Sequence, residues 1–588
     1  MSESYRDLPL DLWALILNNL PHHTNLEPLS LVCKQFLKLT NQLRPKLIVT
    51  NALILTHNDI SSLINKRFPN VDSIDFSNYG FDIKGLLLSI ASNCELEKLS
   101  EIDLCNVEKI PIKGLIELGS KIKVLKCRKI RVLRDKDLVG IGNSLPLLEE
   151  LDISCPRNDH YLNMMGSGGG SEMAISDFGI RFLSLNLKNL RRINLSGNHF
   201  VTDRSLVCLS ENCKFLEGVD VVDCTLVTAK GVLFLLRNSV HLNSISASRI
   251  ETGHGRLGSE DMSFAGRRLY SLDLRESFIS EEFMCMLVEA CVDLKRLSLF
   301  YCTGFKVSSL ALLLRKCRTL QHLALCCLHC VTDVYIVRLF PYLHNLVSLE
   351  LSSISDGFTL NTLHTVARRC PSLEFVQMEC RGLGITDLHF DSVKYGHIKS
   401  LNLSKSCNLD DTFLIGIALA CPNLERLDLS YCDVTEKCLA AILDTCHEIR
   451  ILSIKGCQMN SIGQGSVLPK LEVLDAANSA INDEGLAQIA IRCPRLEKLG
   501  LARCFQVTYI GVKEVVVTCQ ILKEINLYYC EMVYCVNIVS QMISTRPSLV
   551  KIVPPSPISL SNSENGFYLQ HGCQILEGSK CEVPKIWE

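Results

Sequence analysis

The sequence predicts an α/β chain: a short helical N-terminal domain, then a long curved solenoid with parallel strands on its concave side and helices on its convex side. Three observations carry that expectation. An LxxLxL pattern, with Ile or Val allowed, recurs mostly every 25 to 27 residues over most of the chain. Each period reads in one order: strand, turn, helix. The first fifty residues keep a different, purely helical spacing. The 588 residues are 47 % apolar and 21 % charged, enough to bury large cores. Lys plus Arg (61) nearly cancels Asp plus Glu (63), leaving a net charge of −2 and no basic excess to release phosphate counterions. Sequence-neutral nucleic-acid binding is excluded as an expectation.

From the N-terminus, Leu8-Pro9-Leu10-Asp11-Leu12-Trp13 and Ile16-Leu17-Asn18-Asn19-Leu20 place Leu12, Leu15, Ile16 and Asn19 at helical spacing, with Pro9 near the start and Pro21 closing the helix. Helical stretches follow at roughly 25–32 and 33–43. A segment this short makes a poor independent core. A partner or the first repeats should therefore cover part of its apolar surface.

The repeat pattern is clear from Leu148, Leu190, Leu216, Leu294, Leu320, Leu424, Leu496 and Leu522. Weaker copies start at Val71, Leu99, Ile122, Leu242, Leu269, Leu346, Leu373, Ile398, Ile449, Leu471 and Leu549. In the Leu424 copy, Leu424 to Leu429 alternates apolar and polar residues as a half-buried strand requires. Cys432, eight residues after the start, matches Cys224, Cys302, Cys457, Cys504 and Cys530, where a small buried side chain supports the turn. Thr435, like Thr202 and Thr332, stands before an apolar helical run as an N-cap. Leu439, Ile442 and Leu443 then share a helix face, and Cys446 ends the helix, as do Cys213, Cys291, Cys317, Cys370, Cys421, Cys493 and Cys519. Strands want a spacing of about 4.8 Å and packed helices about 8–10 Å, so the stack must curve.

Two irregularities interrupt the period, and two short motifs lie within it. The Leu148 repeat carries an insertion near 156–172, Gly/Ser-rich and read as a loop rather than a substrate lid. Gly253-His254-Gly255-Arg256-Leu257-Gly258 matches GxGxxG but sits inside the repeat spacing rather than a doubly wound sheet. Cys327-Leu328-His329-Cys330 lacks the second ligand pair of a zinc site. The Ile449 repeat is only 22 residues long, with Gly463 and Gly465 where a helix should be, so the outer helix is expected to be lost. After Ile552, Pro554-Pro555-Ser556-Pro557 opens a polar tail.

The period and its recurring cysteines resemble the cysteine-containing subclass of leucine-rich repeats over roughly residues 70–552. That resemblance implies a right-handed horseshoe. The N-terminal LP…IL..L…LVCK.F run resembles an F-box, which implies docking to a Skp-family linker of a cullin–RING ubiquitin ligase. Carried over by position, Leu8, Pro9, Ile16, Leu20, Leu31, Val32 and Phe36 are the implied contact or supporting residues. Many F-boxes have Trp where Phe36 stands and a second Trp soon after, whereas Lys46-Leu47-Ile48-Val49 holds no aromatic. The expected domains are an F-box over 1–50, about 18–19 repeats over 51–552, and a cap with polar tail over 553–588.

Residues four, six and seven positions after each start should face the concave mouth. Candidates for binding a target are Asp220, Asp273, Arg275, Phe300, Tyr301, Tyr431, Lys455, Arg503, Tyr528 and Tyr529, with Ser298 and Asp428 among the same positions. Asp four residues after the start also recurs at Asp75, Asp103, Asp152 and Asp475, and so also fits a role internal to the repeat. No GxxxxGK[ST], HExxH or GxSxG motif occurs. No catalytic residue, metal or cofactor is expected.

The 30 cysteines, the start without a basic signal segment and the absence of an apolar run near the roughly 18 residues of a membrane span suggest an intracellular chain with reduced thiols, in cytoplasm, nucleus or both. The expected function is a non-catalytic substrate adaptor of an SCF-type ubiquitin ligase, promoting ubiquitination and proteasomal degradation of a target protein. Two alternatives stay open: a ligand-dependent co-receptor similar in outline to the auxin and jasmonate receptors, and an interaction scaffold outside ubiquitin transfer.

Overall fold

The computed structural model describes residues 9–576 apart from 19–25, 31, 50–54, 78, 157–173, 251–268, 291–292, 329–330, 353–357, 381–393, 407–408, 410, 534–536, 556–567 and 569–572. The 156–172 insertion (save Pro156), the GxGxxG run, His329, Cys330 and Cys291 lie outside the described residues. The chain divides into two compact units, Met1–Leu269 and Tyr270–Glu588.

The first unit opens with three helices, α1 (Leu10–Asn18), α2 (Leu26–Ser30) and α3 (Lys34–Leu43). Leu17, Leu26 and Leu39 form their small core, with Trp13, Ala14, Leu29, Phe36 and Leu43 packed around it. The helical domain runs straight into the repeats: Asn70 Nδ2 donates to the Gln42 carbonyl at 2.9 Å, and Lys46 pairs with Asp75 at 3.3 Å. Lys46–Ile48, placed in the N-terminal domain by sequence, is itself a strand paired in parallel with Ser73–Asp75.

Every repeat start named above is followed two residues later by a strand. Within each unit neighbouring strands pair in parallel with equal positions opposite one another, as in Leu297↔Leu323 and Leu323↔Leu349. That register follows from the leucine phase, because a one-residue slip would turn the buried row outward. Leu297 and Leu299, at positions 3 and 5 of their repeat, are buried while Ser298 between them is half-buried.

Helices return on the other face, and their ends are tied from one repeat to the next. Asp177 accepts from the backbone N–H (2.9 Å) and hydroxyl (2.7 Å) of Thr202, the N-cap of the following helix. Asp203 holds Thr228 and Asp483 holds Thr508 in the same way. Thr435 caps its own helix by accepting from Cys438 N–H at 3.1 Å. Thr332 makes no side-chain cap bond, unlike the expectation.

The Ile449 repeat has no outer helix, as its glycines suggest. Arg492, at the end of the helix Asp483–Arg492 in the next repeat, reaches back into the gap. Its guanidinium donates to the carbonyls of Ser466 (2.9 Å), Ile462 (3.2 Å) and Gly463. One buried cation thus satisfies loop carbonyls that a helix would have paired internally. Beyond Lys551–Val553, a further short strand, Gln574–Ile575, pairs with it, so the segment read from sequence as a cap and polar tail contributes to the sheet.

Candidate functional site

Two surfaces gather the predicted residues. On α1, Leu12, Leu15 and Ile16 occupy one helix face and are 46 %, 62 % and 45 % exposed, while Leu17 turns into the core. Val32 and Leu37 are exposed as well. Phe36 is half-buried and edge-on to Trp13 at 5.0 Å, so it braces the helices against each other. Pro9 is exposed, and its carbonyl accepts from Leu12 and Trp13 N–H, which starts α1. Leu8, Leu20 and Leu31 lie outside the described residues. Leu12 and Leu15, read from sequence only as residues at helical spacing, and Leu37 are exposed apolar residues that the resemblance did not mark as contacts. The signal for α1 was available, since positions 12, 15 and 16 share one side of a helix whose other side is already filled.

The second surface is the strand face of the repeats, shaped by two backbone devices. The first is an Asx turn at position 4. The side-chain oxygens of Asp75, Asp103, Asp152, Asn194, Asn402, Asp428, Asp475 and Asn526 each accept the N–H two residues on, at 2.8–3.1 Å. Asp428 and Asp475 are buried by it. Asp428, placed at the mouth by sequence, is therefore a structural residue of the turn.

The second device is a left-handed corner at position 7. Asn106, Lys129, Cys155, Asp223, Arg249, Glu276, Tyr301, Cys327, Lys405, Tyr431, Asn478, Arg503 and Tyr529 all have φ between 47° and 65° there, and Gly197 and Gly456 fill the same seat. The corner's N–H donates to the carbonyl at position 6 of the next repeat, as Tyr431 does to Lys455 and Arg503 to Tyr528. A residue with Cβ in this conformation costs roughly 1–2 kcal/mol relative to glycine. Four of the predicted binding residues, Tyr301, Tyr431, Arg503 and Tyr529, occupy such corners.

The cysteines at position 8 close the turn from below. Cys224, Cys302, Cys432, Cys457, Cys504 and Cys530 are buried, and each Sγ donates to a carbonyl one repeat back, for example Cys432 to Leu403 at 3.1 Å. Burial pushes the Cys432 thiol up to about 12 and Cys457 up to about 11. They stay protonated donors and are poor nucleophiles at neutral pH.

Among the remaining predicted residues, Phe300 and Tyr301 pack edge to face at 4.8 Å, and Tyr528 and Tyr529 repeat that arrangement at 4.3 Å. The Arg503 guanidinium lies 5.7 Å from the Tyr529 ring. Arg275 holds Asp273 through three hydrogen bonds of 2.7 to 3.2 Å. Glu350, three strands away on the same row, has its carboxyl pushed up by burial and by Asp273, with Arg275 opposing. Lys455 and Asp220 are half-buried. No helix of the described residues is long and apolar enough to cross a membrane.

Residues 6–47 match the F-box domain. The chain is similar to the F-box protein FBX14 of Arabidopsis thaliana, 25 % identical over 305 residues, covering 45 % of this chain and 44 % of that protein. It is similar to the F-box protein SKIP19 of the same plant, 27 % identical over 175 residues, covering 29 % and 56 %. A third relative, F-box/LRR-repeat protein 4 of Bos taurus, is 24 % identical over 244 residues, covering 36 % and 35 %. The chain thus spans about a third to just over half the length of these relatives. Among solved structures it is similar to the yeast Rad7 and Elc1 complex, with TM-score 0.40 and 15 % identity, covering 68 % of this chain and 84 % of that one. The Leptospira interrogans LRR protein LIC12759 aligns with TM-score 0.36 and 15 % identity, covering 69 % and 95 %. The chain carries an F-box domain ahead of a leucine-rich-repeat solenoid of parallel strands.

Proposed function

We propose that this protein is a substrate adaptor of an SCF-type ubiquitin ligase, working inside the cell. Its F-box docks a Skp-family linker and through it a cullin–RING core, while the strand face of the repeats holds a target protein for ubiquitination and degradation. The observation that supports this reading is the exposed apolar face of α1, Leu12, Leu15 and Ile16, lying within the F-box match. Burying each Leu or Ile is worth roughly 1.5–3 kcal/mol, so a few such anchors hold a complex. The adaptor supplies proximity rather than chemistry. Held beside a charged conjugating enzyme, the target's lysines react at a raised effective concentration, and the nucleophile and the leaving thioester belong to other subunits.

Capture by an immobilised Skp-family linker tests the docking half. Leu12→Asp with Ile16→Asp should abolish capture while leaving the urea midpoint of the chain unchanged, because both side chains already face solvent. Undiminished capture by that folded double variant would overturn the assigned face.

A further inference from the structure

The strand face of the second unit is not uniform. In the repeats from Leu424 to Leu522, five of the ten residues at positions 4 and 6 are small, Ser430, Ser453, Ala477, Gly500 and Ala502, and three of the others, Asp428, Asp475 and Asn526, are buried, which leaves a low floor. A Cβ on Gly500 would sit 2.7 Å from Oδ1 of Asp475, its partner on the neighbouring strand, so a larger residue there would crowd the Asp475 turn. Tyr431 stands at one end, 48 % exposed, and the Tyr528–Tyr529 pair stands at the other, with Tyr529 43 % exposed. Between them the charged side chains at positions 6 and 7 are Lys455 and Arg503, and Lys405 follows the same rank one repeat before Tyr431. The carboxylates nearest in rank, Asp428 and Asp475, are buried with Oδ1 committed to turn N–H groups, and the charge of Lys455 also acts on Asp475. Asp433 and Glu531 come two residues after the corner, on the chain leading away.

The corner residues add a second line of argument. Gly456 occupies the left-handed seat without side-chain strain, and the Tyr431 ring lies over it. Tyr431, Arg503 and Tyr529 occupy the same seat at φ 60°, 61° and 57°, against their backbone preference. Nothing in the fold requires those large side chains, and all three project from the exposed corner. Ten further non-glycine residues hold the same seat, so the strain belongs to the repeat, and what marks these three is the large exposed side chain each carries there.

Resting on the adaptor reading above, we infer that this stretch binds an extended, acidic segment of the target, its carboxylates on Lys455 and Arg503 and its apolar stems against Tyr431 and Tyr529. Charge complementarity selects that occupant. Four strand steps of about 4.8 Å separate the tyrosine walls, a span of roughly 19 Å that suits about six residues of extended chain. The repeats from Leu269 to Leu346 carry Asp273, Glu276 and Glu350 against Arg275 at the corresponding positions, so within the second unit an acidic segment is disfavoured there.

The test is fluorescence anisotropy of the full chain with labelled peptides of about eight residues, alternating Glu-Ala, Gln-Ala or Lys-Ala. The Glu-Ala peptide should bind at least about tenfold tighter than the other two and lose affinity with added salt. Lys455→Glu with Arg503→Glu should weaken it about tenfold or more. Tyr431→Gly with Tyr529→Gly should weaken it too, while the melting temperature stays level or rises because glycine relieves the corner. Equal binding of the three peptides, unchanged binding by the charge variants, or a lowered melting temperature of the glycine variant would overturn the inference. So would full displacement by millimolar inorganic phosphate, which would assign the surface to a small anion. Linker capture by the same variants is a separate readout. If the parent chain binds the acidic peptide but no linker, the adaptor reading fails and the peptide surface stands.

Discussion

Within the second unit, the repeats from Leu269 to Leu346 have strands of five residues, whereas those from Ile398 to Leu522 have strands of three. The apolar ladder is the same in both, so the difference lies in one polar position. Asn402, Asp428, Asp475 and Asn526 capture the N–H two residues on and stop the strand. The Ile449 and Leu496 strands lack such a residue, but each lies between two stopped neighbours. In the longer strands position 4 holds Asp273, Ser298, Ala324 and Glu350. Asp273 has the required carboxylate, yet Arg275 has taken it. In the repeats that carry it, one side chain therefore decides where pairing ends, for its own strand and its neighbours, and with it whether position 6, as in Phe300, is presented from a strand or from a turn.

The largest expected effect comes from removing a stop. Asp428→Ala strips the acceptor from Ser430 N–H and Oγ in a buried setting, which should destabilise the second unit by about 1–3 kcal/mol. Asp428→Asn keeps an acceptor of the kind Asn402 and Asn526 already supply, and should recover most of that loss. Urea midpoints of the two variants measure the difference. Equal loss in both would show that charge, not the turn bond, is what Asp428 contributes.

A middle-sized effect is expected at Arg275. The Arg275–Asp273 pair is partly exposed, so Arg275→Ala should cost no more than about 1 kcal/mol. The sharper readout is structural. With its carboxylate released, Asp273 should take the N–H two residues on, and the strand Ser271–Arg275 should shorten to three residues in a crystal structure or by backbone chemical shifts. A strand that keeps five residues would break the proposed cause of the length difference.

Much of this architecture was legible because burial on a strand has a strict period of two, so the leucine phase fixed every strand from Val71 to Leu549. The cysteines at position 8 were legible as small buried groups, and Gly463 and Gly465 as the loss of a helix. The left-handed corner was hidden because its usual sign, glycine, appears only at Gly197 and Gly456, while Lys129, Tyr301 and Arg503 fill the same seat elsewhere. Asp428 looked like a mouth residue because position alone cannot distinguish a projecting carboxylate from one folded onto its own backbone. Arg492 read as an ordinary basic helix end, since the loop carbonyls it satisfies become neighbours only through the stacking. At the N-terminal surface, the family pattern marked Phe36 and Ile16 alike, and only packing separates the brace from the exposed face.

The smallest expected effect tests the longer-strand region through its charge. Burial and the nearby Asp273 raise the Glu350 carboxyl above its ordinary value, so the folded chain holds this proton more readily than the unfolded chain does. Stability from this group is therefore greatest at low pH and falls as pH rises from the ordinary carboxylate value through the folded one. Glu350→Gln removes the penalty, and the variant should be slightly more stable than the parent at pH 7. The advantage should vanish below the ordinary carboxylate range, where both side chains are neutral. Arg275→Ala should widen the advantage at pH 7, because the cation that partly offsets the raised carboxyl is gone. Urea midpoints across pH for the two single variants and their combination would show it, and a stabilisation by Glu350→Gln that persists in acid would mean that packing, not the buried charge, sets the cost in the five-residue strands.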